Sequence, residues 1–269
     1  MSRIVIIGGH GKVALLAAPL LVAAGHEVIS IIRTPANPAQ ADDVAATGAH
    51  PLVLSVEDAT TEELTLALTG ADAVVWSAGA GGKGGPQRTD AVDRAAAIRS
   101  MEAAAAAGVR RYVMVSFIGA YGDVAADHPL RAYAIAKITA DRHLQSTDLD
   151  WTILGPGLLT QDEPTGSITV ARLEPGAASS SAPTSRGNVA RVIAALTAAF
   201  TPILLRLSPQ MAYLALAAIA VVGYAFAIWG FRGKQRNEFQ VEGHAEADVA
   251  AAEEADVDFT IPAEPAHSD

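Results

Sequence analysis

Three residues of the chain have the types and the spacing for proton transfer to a carbonyl oxygen. Tyr133 and Lys137 lie four residues apart, so a helix places them on one face. A tyrosine hydroxyl has a pKa near ~10, and a neighbouring ammonium lowers that pKa because it favours the phenolate. Ser116 ends a predicted strand, where its hydroxyl is expected to hold the carbonyl oxygen while Tyr133 exchanges a proton with it. These three residues are the predicted catalytic group.

A glycine-rich turn near the start of the chain has the composition of a phosphate cradle. It reads GGHGKVA over residues 8–14, after four apolar β-branched residues and before an Ala/Leu-rich stretch. A pyrophosphate reaches the backbone N–H groups at a helix N-terminus only where no Cβ intervenes. The spacing matches G-x-G-x-x-G/A directly after a strand, which predicts a dinucleotide-binding fold. The loop residues predicted to bind the cofactor are Gly8, Gly9, Gly11, Lys12 and Val13.

The residue at the end of the second predicted strand bears on the choice of cofactor. A site for NAD places an acid there to hold the adenosine ribose hydroxyls, whereas this chain has Arg33. A guanidinium suits a 2′-phosphate, so we predict NADP(H) in preference to NAD(H). The alternative is that Arg33 is an ordinary solvated side chain. After the fourth predicted strand, the small residues Ala78 and Gly79 are expected to let the cofactor approach the backbone.

Short apolar runs alternate with helical stretches in the first 199 residues, which is typical of α/β proteins with a doubly wound parallel sheet of the Rossmann type. The predicted strands cover residues 4–7, 28–32, 52–54, 73–77, 112–116 and 151–154. The predicted helices cover residues 12–24, 61–68, 90–107, 130–145 and 187–199. Such sheets bind ligands beyond the carboxyl ends of their strands, where the glycine loop, Arg33, Ala78 and Ser116 all fall.

Residues 1–199 resemble the short-chain dehydrogenase/reductase superfamily, in its atypical NAD(P)H-binding branch of flavin-reductase-like and biliverdin-reductase-B-like proteins. The matching segments are GGHGKVA (8–14), VMVS (113–116), YAIAK (133–137), LDWTILGPG (149–157) and TSRGNVA (184–190). The resemblance implies that Lys137 also contacts the nicotinamide ribose and that the turn with Pro156 and Gly157 lies beside the nicotinamide. The implied reaction is hydride transfer from NADPH to a small carbonyl, quinone or flavin acceptor.

Three positions depart from the pattern of these relatives. Ser55 stands where they usually place an aspartate beside the adenine, Phe117 replaces a common second serine, and Gly155 replaces a frequent arginine. Two functions without this chemistry therefore stay open: a non-catalytic NADPH-sensing regulator and a membrane-scaffold protein. A sugar-nucleotide epimerase is disfavoured, because the segment between Leu154 and Arg186 is short for a substrate domain.

An uncharged apolar stretch lies in the C-terminal part of the chain. Residues 211–231 contain no charged side chain, and 21 helical residues span roughly 32 Å, enough for a hydrocarbon core of about 30 Å. Tyr213 and Trp229 suit the two membrane interfaces, and three basic residues follow the stretch. We predict a transmembrane helix at 211–231 within a juxtamembrane and membrane segment, 201–236. The alternative is a buried or dimer-forming apolar helix.

The charge distribution separates the rest of the chain from an acidic tail. All 19 lysines and arginines lie at or before Arg236, and ten of the 29 acidic residues follow it, so residues 1–236 are formally neutral. This balance predicts no nucleic-acid partner. Residues 237–269 are rich in Ala, Glu and Asp and are predicted to be disordered. Cysteine is absent, which excludes disulfides and thiolate chemistry, and no cluster of metal ligands appears.

The predicted localisation is a single-pass membrane protein whose NAD(P)-binding domain, residues 1–200, lies in the cytoplasm. Counting positive charges favours a cytoplasmic C-terminal flank instead, since three basic residues follow the span. The domain shows no secretory signal and needs the cytosolic NADPH pool, and long domains escape the charge rule. The predicted partners are a small-molecule acceptor and the lipid bilayer.

Overall fold

Six strands form one parallel sheet within the residues that the structure describes, which are 1–33, 39–81, 83–118, 127–168 and 183–198 of this computed structural model. They are β1 (Arg3–Ile7), β2 (Glu27–Ile32), β3 (His50–Val53), β4 (Ala73–Trp76), β5 (Arg111–Val115) and β6 (Asp150–Leu154). Their order across the sheet is β3-β2-β1-β4-β5-β6. Two short strands, β7 (Leu159–Thr160) and β8 (Thr184–Ser185), pair with each other.

Helices connect the strands of the sheet, so each crossover returns the chain to the same end and the strands run parallel. They are α1 (Ala14–Ala23), α2 (Ala39–Ala46), α3 (Thr61–Leu68), α4 (Gly85–Thr89), α5 (Ala97–Ala106), α6 (Arg131–Gln145) and α7 (Arg186–Ala198). A π-helical turn, Asp90–Ala96, joins α4 to α5. The predicted Rossmann-type sheet is confirmed.

Helix α3 shows how local sequence fixes an element. Thr60 precedes it, and its hydroxyl accepts a hydrogen bond from the backbone N–H of Glu63 at 3.2 Å. The Glu63 carboxylate accepts the Thr60 N–H in return at 2.9 Å. This capping box satisfies two N–H groups that the first helical turn otherwise leaves unpaired. The helix begins and ends at the predicted residues, 61 and 68.

Two helical features differ from the prediction. The structure adds α2, whose sequence AQADDVAA contains one buried residue, Val44, so it carries no apolar stripe that periodicity would detect. The helix predicted for residues 90–107 begins earlier, at Gly85, and is divided by the π-helical turn. A π-turn inserts an extra residue into the ladder without a composition of its own, and such turns occur frequently at functional sites.

The core lies on both faces of the sheet, which explains why its central strands are apolar in consecutive positions after the first residue. On one face, Val5 and Ile7 pack in a cluster that includes residues of α3 and α5. On the other face, Ile4 and Ile6 pack with residues of α1 and α7. All four side chains are fully buried. The sheet therefore holds the carboxyl end of β1, and the glycine loop that follows it, in a fixed position.

The strand order reverses direction at β1, and this creates the binding crevice. Ile7 at the end of β1 pairs with Ile31 of β2 on one side and with Trp76 of β4 on the other. Helix α1, which follows β1, and helix α5, which follows β4, pack on opposite faces of the sheet, so a crevice opens beyond the carboxyl ends of these two strands. Ligands of open α/β sheets bind in this crevice.

Several predictions for the C-terminal part fall outside the described residues. The segments 201–236 and 237–269, with the membrane helix at 211–231, stay predictions from the sequence. Among the helices that the structure describes, none is long and apolar enough to cross a bilayer. The described residues belong to one unit, Met1–Ser208, which contains the predicted domain 1–200.

Candidate functional site

The glycine loop after β1 is held against β2 and β4. The N–H groups of Gly8 and Gly9 both donate to the Ile31 carbonyl, at 3.1 and 2.8 Å. Gly8 has a φ of +85°, and a Cβ there would lie 2.6 Å from the backbone of Ala78. Both the backbone conformation and the close approach therefore require glycine. The loop lies directly on the turn that follows β4.

The N–H groups at the start of α1 are free to bind an anion. Helix α1 begins at Ala14, and Val13 at its N-cap provides no side-chain hydrogen bond. Within the described part of the chain, the N–H groups of Lys12 and Val13 donate to no protein acceptor. Unpaired N–H groups and the positive end of the helix dipole together favour a phosphate. A Cβ on Gly11 would lie 3.0 Å from the Gly8 carbonyl oxygen, so a larger residue there would require the loop to shift by a few tenths of an ångström.

A cavity of about 560 Å³ opens at the carboxyl ends of β1, β2 and β4. Most residues predicted to bind the cofactor line it, namely Gly8, Gly11, Lys12, Arg33, Ala78 and Gly79. Gly9 lies behind the lining, where its Cα packs so closely on Ser30 that an added Cβ would lie 2.4 Å from the Ser30 Cβ. The Val13 side chain is buried in the core, so only the backbone N–H of this residue is available to a cofactor phosphate.

Basic side chains collect at the β2 side of this cavity. Lys12, Arg33 and His10 all line it. The His10 ring nitrogen Nε2 lies 2.8 Å from the carboxylate of Asp43 on α2, so the glycine loop is tied to the helix that follows β2. Lys12 and Arg33 thus offer two exposed cations to an anionic group beyond the end of β2.

Ser116 occupies the predicted place at the end of β5, but its hydroxyl has an unpredicted partner. The hydroxyl donates to Asp141 Oδ2 at 2.6 Å, and both side chains are buried. Burial raises the pKa of Asp141 to about 6, opposed by the Ser116 hydrogen bond and by the charge of Lys137. The other carboxylate oxygen of Asp141 is buried without a hydrogen-bond partner. Ser116 and Asp141 thus form one buried polar pair.

Lys137 connects α6 to the strand end and to the cavity wall. Its ammonium donates to the Val115 carbonyl at 3.1 Å and lies 3.8 Å from Asp93 Oδ1. Asp93 belongs to the π-helical turn, and its other oxygen accepts the N–H of Ala80, a residue that lines the cavity. Burial lowers the pKa of Lys137 and raises the pKa of Asp93, and the mutual attraction of the two charges opposes both shifts.

The predicted lowering of the Tyr133 pKa is wrong in direction, because burial and nearby acids determine the net shift. Burial raises the pKa of the Tyr133 hydroxyl, and the negative charges of Asp93 and Asp141 raise it further. The ammonium of Lys137 is instead engaged by Asp93 and Val115. Tyr133 is therefore a neutral phenol at rest, available as a proton donor but not as a base.

The remaining predicted residues lie outside the cavity lining. Ser116, Tyr133 and Lys137 cluster around β5 and α6, and no hydrogen bond joins the three side chains to one another within the described residues. The ring of Phe117 lies against that of Tyr133, with centroids 4.9 Å apart. The Pro156 carbonyl accepts the N–H of Ile118 at 3.0 Å, which joins the turn of Pro156 and Gly157 to the loop after β5.

Sequence reasoning missed the two buried acids of this site. Asp141 follows Lys137 by four residues, so Tyr133, Lys137 and Asp141 share one face of α6, and this spacing was a detectable signal. Asp93 had no such signal, because its position depends on the π-helical turn. No group of residues placed to hold a metal ion occurs in the described ranges.

Residues 8–199 match the model of a protein family described as NAD(P)H-binding. The match covers most of the chain and begins at the first glycine of the cradle. The chain belongs to this NAD(P)H-binding family. The predicted dinucleotide-binding character is thereby confirmed, whereas the family covers both NADH and NADPH and does not decide between them.

Relatives of this NAD(P)H-binding protein are similar over most of their length. The UPF0659 protein C216.03 of Schizosaccharomyces pombe is 35% identical over 213 residues, which are 72% of this chain and 83% of the relative. The uncharacterized sugar epimerase YhfK of Bacillus subtilis is 31% identical over 171 residues, 63% of this chain and 78% of the relative. A solved structure from Bacillus halodurans, a candidate NAD-dependent epimerase/dehydratase, is 32% identical with a TM-score of 0.65, over 73% of this chain and 88% of that one.

These comparisons place the NAD(P)H-binding protein in an oxidoreductase- and epimerase-like group of Rossmann folds. The only feature of the sequence that disfavours an epimerase is the short segment between Leu154 and Arg186. Because an epimerase and an epimerase/dehydratase are named among the relatives, that class stays open for this chain.

Proposed function

We propose that this chain is an NADP(H)-preferring oxidoreductase that transfers hydride to a small carbonyl, quinone or flavin acceptor. The observation that carries the proposal is the link between the cofactor cavity and α6. Asp93 accepts the N–H of Ala80 at the cavity wall and lies beside the ammonium of Lys137. Lys137 is thus fixed relative to the cofactor cleft, as a residue that contacts the nicotinamide ribose needs to be.

Tyr133 is the proposed proton donor. A tyrosine with its ordinary pKa near ~10 is already protonated at neutral pH, and this is the form that donates to an acceptor oxygen. When bound, the reduced nicotinamide supplies the hydride. Tyr133 then gives its proton to the oxygen on which negative charge develops. Ser116 is the proposed contact that orients the acceptor oxygen, and its hydroxyl is free to donate to that oxygen when Asp141 is protonated.

The preference for NADPH is proposed from the two cations at the β2 side of the cavity. Lys12 and Arg33 line it, and no acid follows β2 at the position that holds ribose hydroxyls in NAD sites. A guanidinium binds a phosphate through a planar set of donors and a permanent charge. The other cofactor contacts proposed are Gly8, Gly11, Ala78 and Gly79, with the free N–H groups that precede α1.

The membrane tether remains part of the proposal. Residues 211–231 are proposed to span a bilayer once, with the NAD(P)H-binding domain in the cytoplasm and a small molecule as the domain's substrate. The support is the uncharged length of this stretch and the basic residues after it. An acceptor that partitions into membranes, such as a quinone, would then be concentrated beside the domain.

Epimerisation of a sugar nucleotide is a second candidate, favoured by the matched relative described as a sugar epimerase. The same residues would serve it, because an epimerase removes a hydride and a proton and returns both. The two candidate reactions differ in whether they consume NADPH. The oxidoreductase consumes NADPH as product forms, whereas the epimerase leaves the total NAD(P)H unchanged.

The proposal is tested on full-length protein purified with detergent present. NADPH and NADH are titrated by nicotinamide fluorescence, and NADPH oxidation is then followed with panels of carbonyls, quinones and flavins and, separately, with nucleotide sugars. Tighter binding of NADPH and its oxidation by one acceptor class support the oxidoreductase. Conversion of a nucleotide sugar without net oxidation replaces it by the epimerase. Binding without any turnover indicates the non-catalytic sensor.

A further inference from the structure

The loop between β3 and α3 forms one wall of the cofactor cavity. Leu54, Ser55, Val56 and Glu57 all line the cavity. The Ser55 hydroxyl donates to Asp58 within the same loop at 2.7 Å, so this side chain stabilises the turn. The resemblance to atypical short-chain reductases implies an aspartate beside the adenine at this position, where the chain has Ser55. Another feature must therefore fix this wall for the cofactor.

Arg99 holds this loop from beneath. From α5, its guanidinium donates to three backbone carbonyls, those of Val56 at 3.0 Å, Glu57 at 2.9 Å and Ala59 at 3.1 Å. The last N–H that continues the pairing of β3 with β2 belongs to Leu54, so the carbonyls beyond it lack a strand partner. A guanidinium supplies several donors in one rigid plane, which suits three adjacent acceptors.

A second arginine secures the outer side of the same loop. Arg88 of α4 lies in an ion pair with Glu57, with 3.0 Å between Nε and Oε2, and both residues line the cavity. The loop is thus attached at its backbone by α5 and at its side chain by α4. Both helices follow β4, across the crevice from β3 in the strand order.

We propose that Arg99 is a positioning residue that pre-orders the wall formed by residues 54–57 for the adenosine half of the cofactor. This inference rests on the proposed binding of NADPH in the cavity. In the strand order, β3 and β2 lie on one side of the glycine loop and β4, β5 and β6 on the other. A dinucleotide bound across the crevice therefore places one half over each side, and the half beside Arg33 carries the adenosine. Without Arg99, cofactor binding would have to order the loop, and the entropy lost in doing so would weaken the affinity for the adenosine half.

The test compares the two halves of the cofactor as separate probes. Full-length wild type, Arg99→Met and the control Arg94→Met are titrated with 2′,5′-ADP and with reduced nicotinamide mononucleotide. Arg94 pairs with Asp90 at the exposed side of the π-helical turn and does not line the cavity. Arg99→Met should weaken the binding of 2′,5′-ADP by about tenfold, because binding would then have to order one or two loop residues. The affinity for reduced nicotinamide mononucleotide should change by less than about twofold. Arg94→Met should change neither.

Each outcome has a defined consequence. Unchanged affinity of Arg99→Met for 2′,5′-ADP, or an equal loss for both halves, overturns the positioning role. If Arg99→Met does not fold, Arg99→Lys keeps the charge but cannot reach all three carbonyls, and the same selective loss is expected, with faster amide hydrogen exchange in residues 55–59. Failure of the wild type to bind either half refutes the proposed cofactor site itself, which distinguishes the two failures.

Discussion

The Ser116 hydroxyl donates a 2.6 Å hydrogen bond to Asp141, and both side chains are buried beside Lys137. While Asp141 is ionised, the proton of Ser116 is committed to this carboxylate. The Ser116 oxygen then accepts a hydrogen bond from an approaching hydroxyl and cannot donate one to a carbonyl. Protonation of Asp141 reverses the direction, because the carboxyl group then donates to Ser116. The protonation state of Asp141 thus decides what Ser116 offers to an acceptor.

Asp141 should make the stability of the protein depend on pH. Its pKa is about 6 in the folded chain against 3.8 ordinarily, so the folded state holds a proton that the unfolded state releases. The favourable contribution of the protonated carboxyl is therefore complete below 3.8 and is lost as the pH rises through 6. We expect Asp141→Asn to remove this loss. Relative to wild type, its free energy of unfolding should gain up to about 2 kcal/mol between pH 4.5 and 7.5.

Urea unfolding of both proteins at the two pH values measures this difference. The other titrating groups are common to both chains, so their effects cancel in the comparison. If the free energy of unfolding changes equally with pH in wild type and variant, Asp141 has the same pKa in the folded and unfolded chains, which contradicts the prediction.

Arg33 should carry the preference for NADPH. Arg33→Ala removes a charge that lines the cavity. The binding free energy of NADPH relative to that of NADH should become less favourable by up to about 1.5–3 kcal/mol, the contribution of charged hydrogen bonds to the 2′-phosphate. Arg142→Ala, which does not line the cavity, serves as the control and should leave this difference unchanged. Equal affinity of the unmodified protein for both cofactors would exclude this role.

Gly8→Ala should cost both stability and cofactor binding. A Cβ at Gly8 meets the Ala78 backbone at 2.6 Å, in addition to the strain of a φ of +85°. Gly25 has nearly the same φ, +82°, with nothing within 4 Å of the added Cβ, so Gly25→Ala isolates the conformational strain of about 1–2 kcal/mol. Thermal unfolding and NADPH titration should show a larger loss of stability for Gly8→Ala, and a loss of binding only there. Equal effects of the two substitutions would contradict the close packing of the loop on the turn after β4.

The predicted tether should bring the full-length protein into the membrane fraction and make it resist carbonate extraction. Val221→Arg places a charge in the middle of residues 211–231 and should weaken insertion by roughly 2.5–3.5 kcal/mol. Protease added to spheroplasts should remove only the acidic tail if the NAD(P)H-binding domain faces the cytoplasm. Recovery of the full chain as a detergent-free soluble monomer would refute the tether.

The parts of the fold that the sequence predicts well are those set by local pattern. The apolar strands, the glycine cradle and the capping box of α3 each have a signature within a few residues. The strand-end position of Ser116 and the shared helical face of Tyr133 and Lys137 follow from the same patterns.

The site chemistry was less predictable because it depends on contacts between distant residues. Asp93 reaches Lys137 and Ala80 only because the π-helical turn places it there. Its negative charge helps to raise the pKa of Tyr133, whereas the sequence predicts that this pKa is lowered. Arg99 reaches the loop after β3 across 40 to 43 residues of sequence. Helical spacing did indicate Asp141, although its bond to Ser116 requires the packing of α6 on β5.

The most direct test of the proposed reaction compares wild type with Tyr133→Phe, using the acceptor that wild type reduces fastest. Removal of the phenol proton should slow NADPH oxidation by about 10²–10⁴-fold, the usual contribution of a positioned general acid, while the Kd for NADPH stays within about twofold. Stopped-flow turnover and fluorescence titration measure the two quantities on the same preparation. Full activity of Tyr133→Phe would contradict the acid role and indicate hydride transfer that needs no proton from this residue.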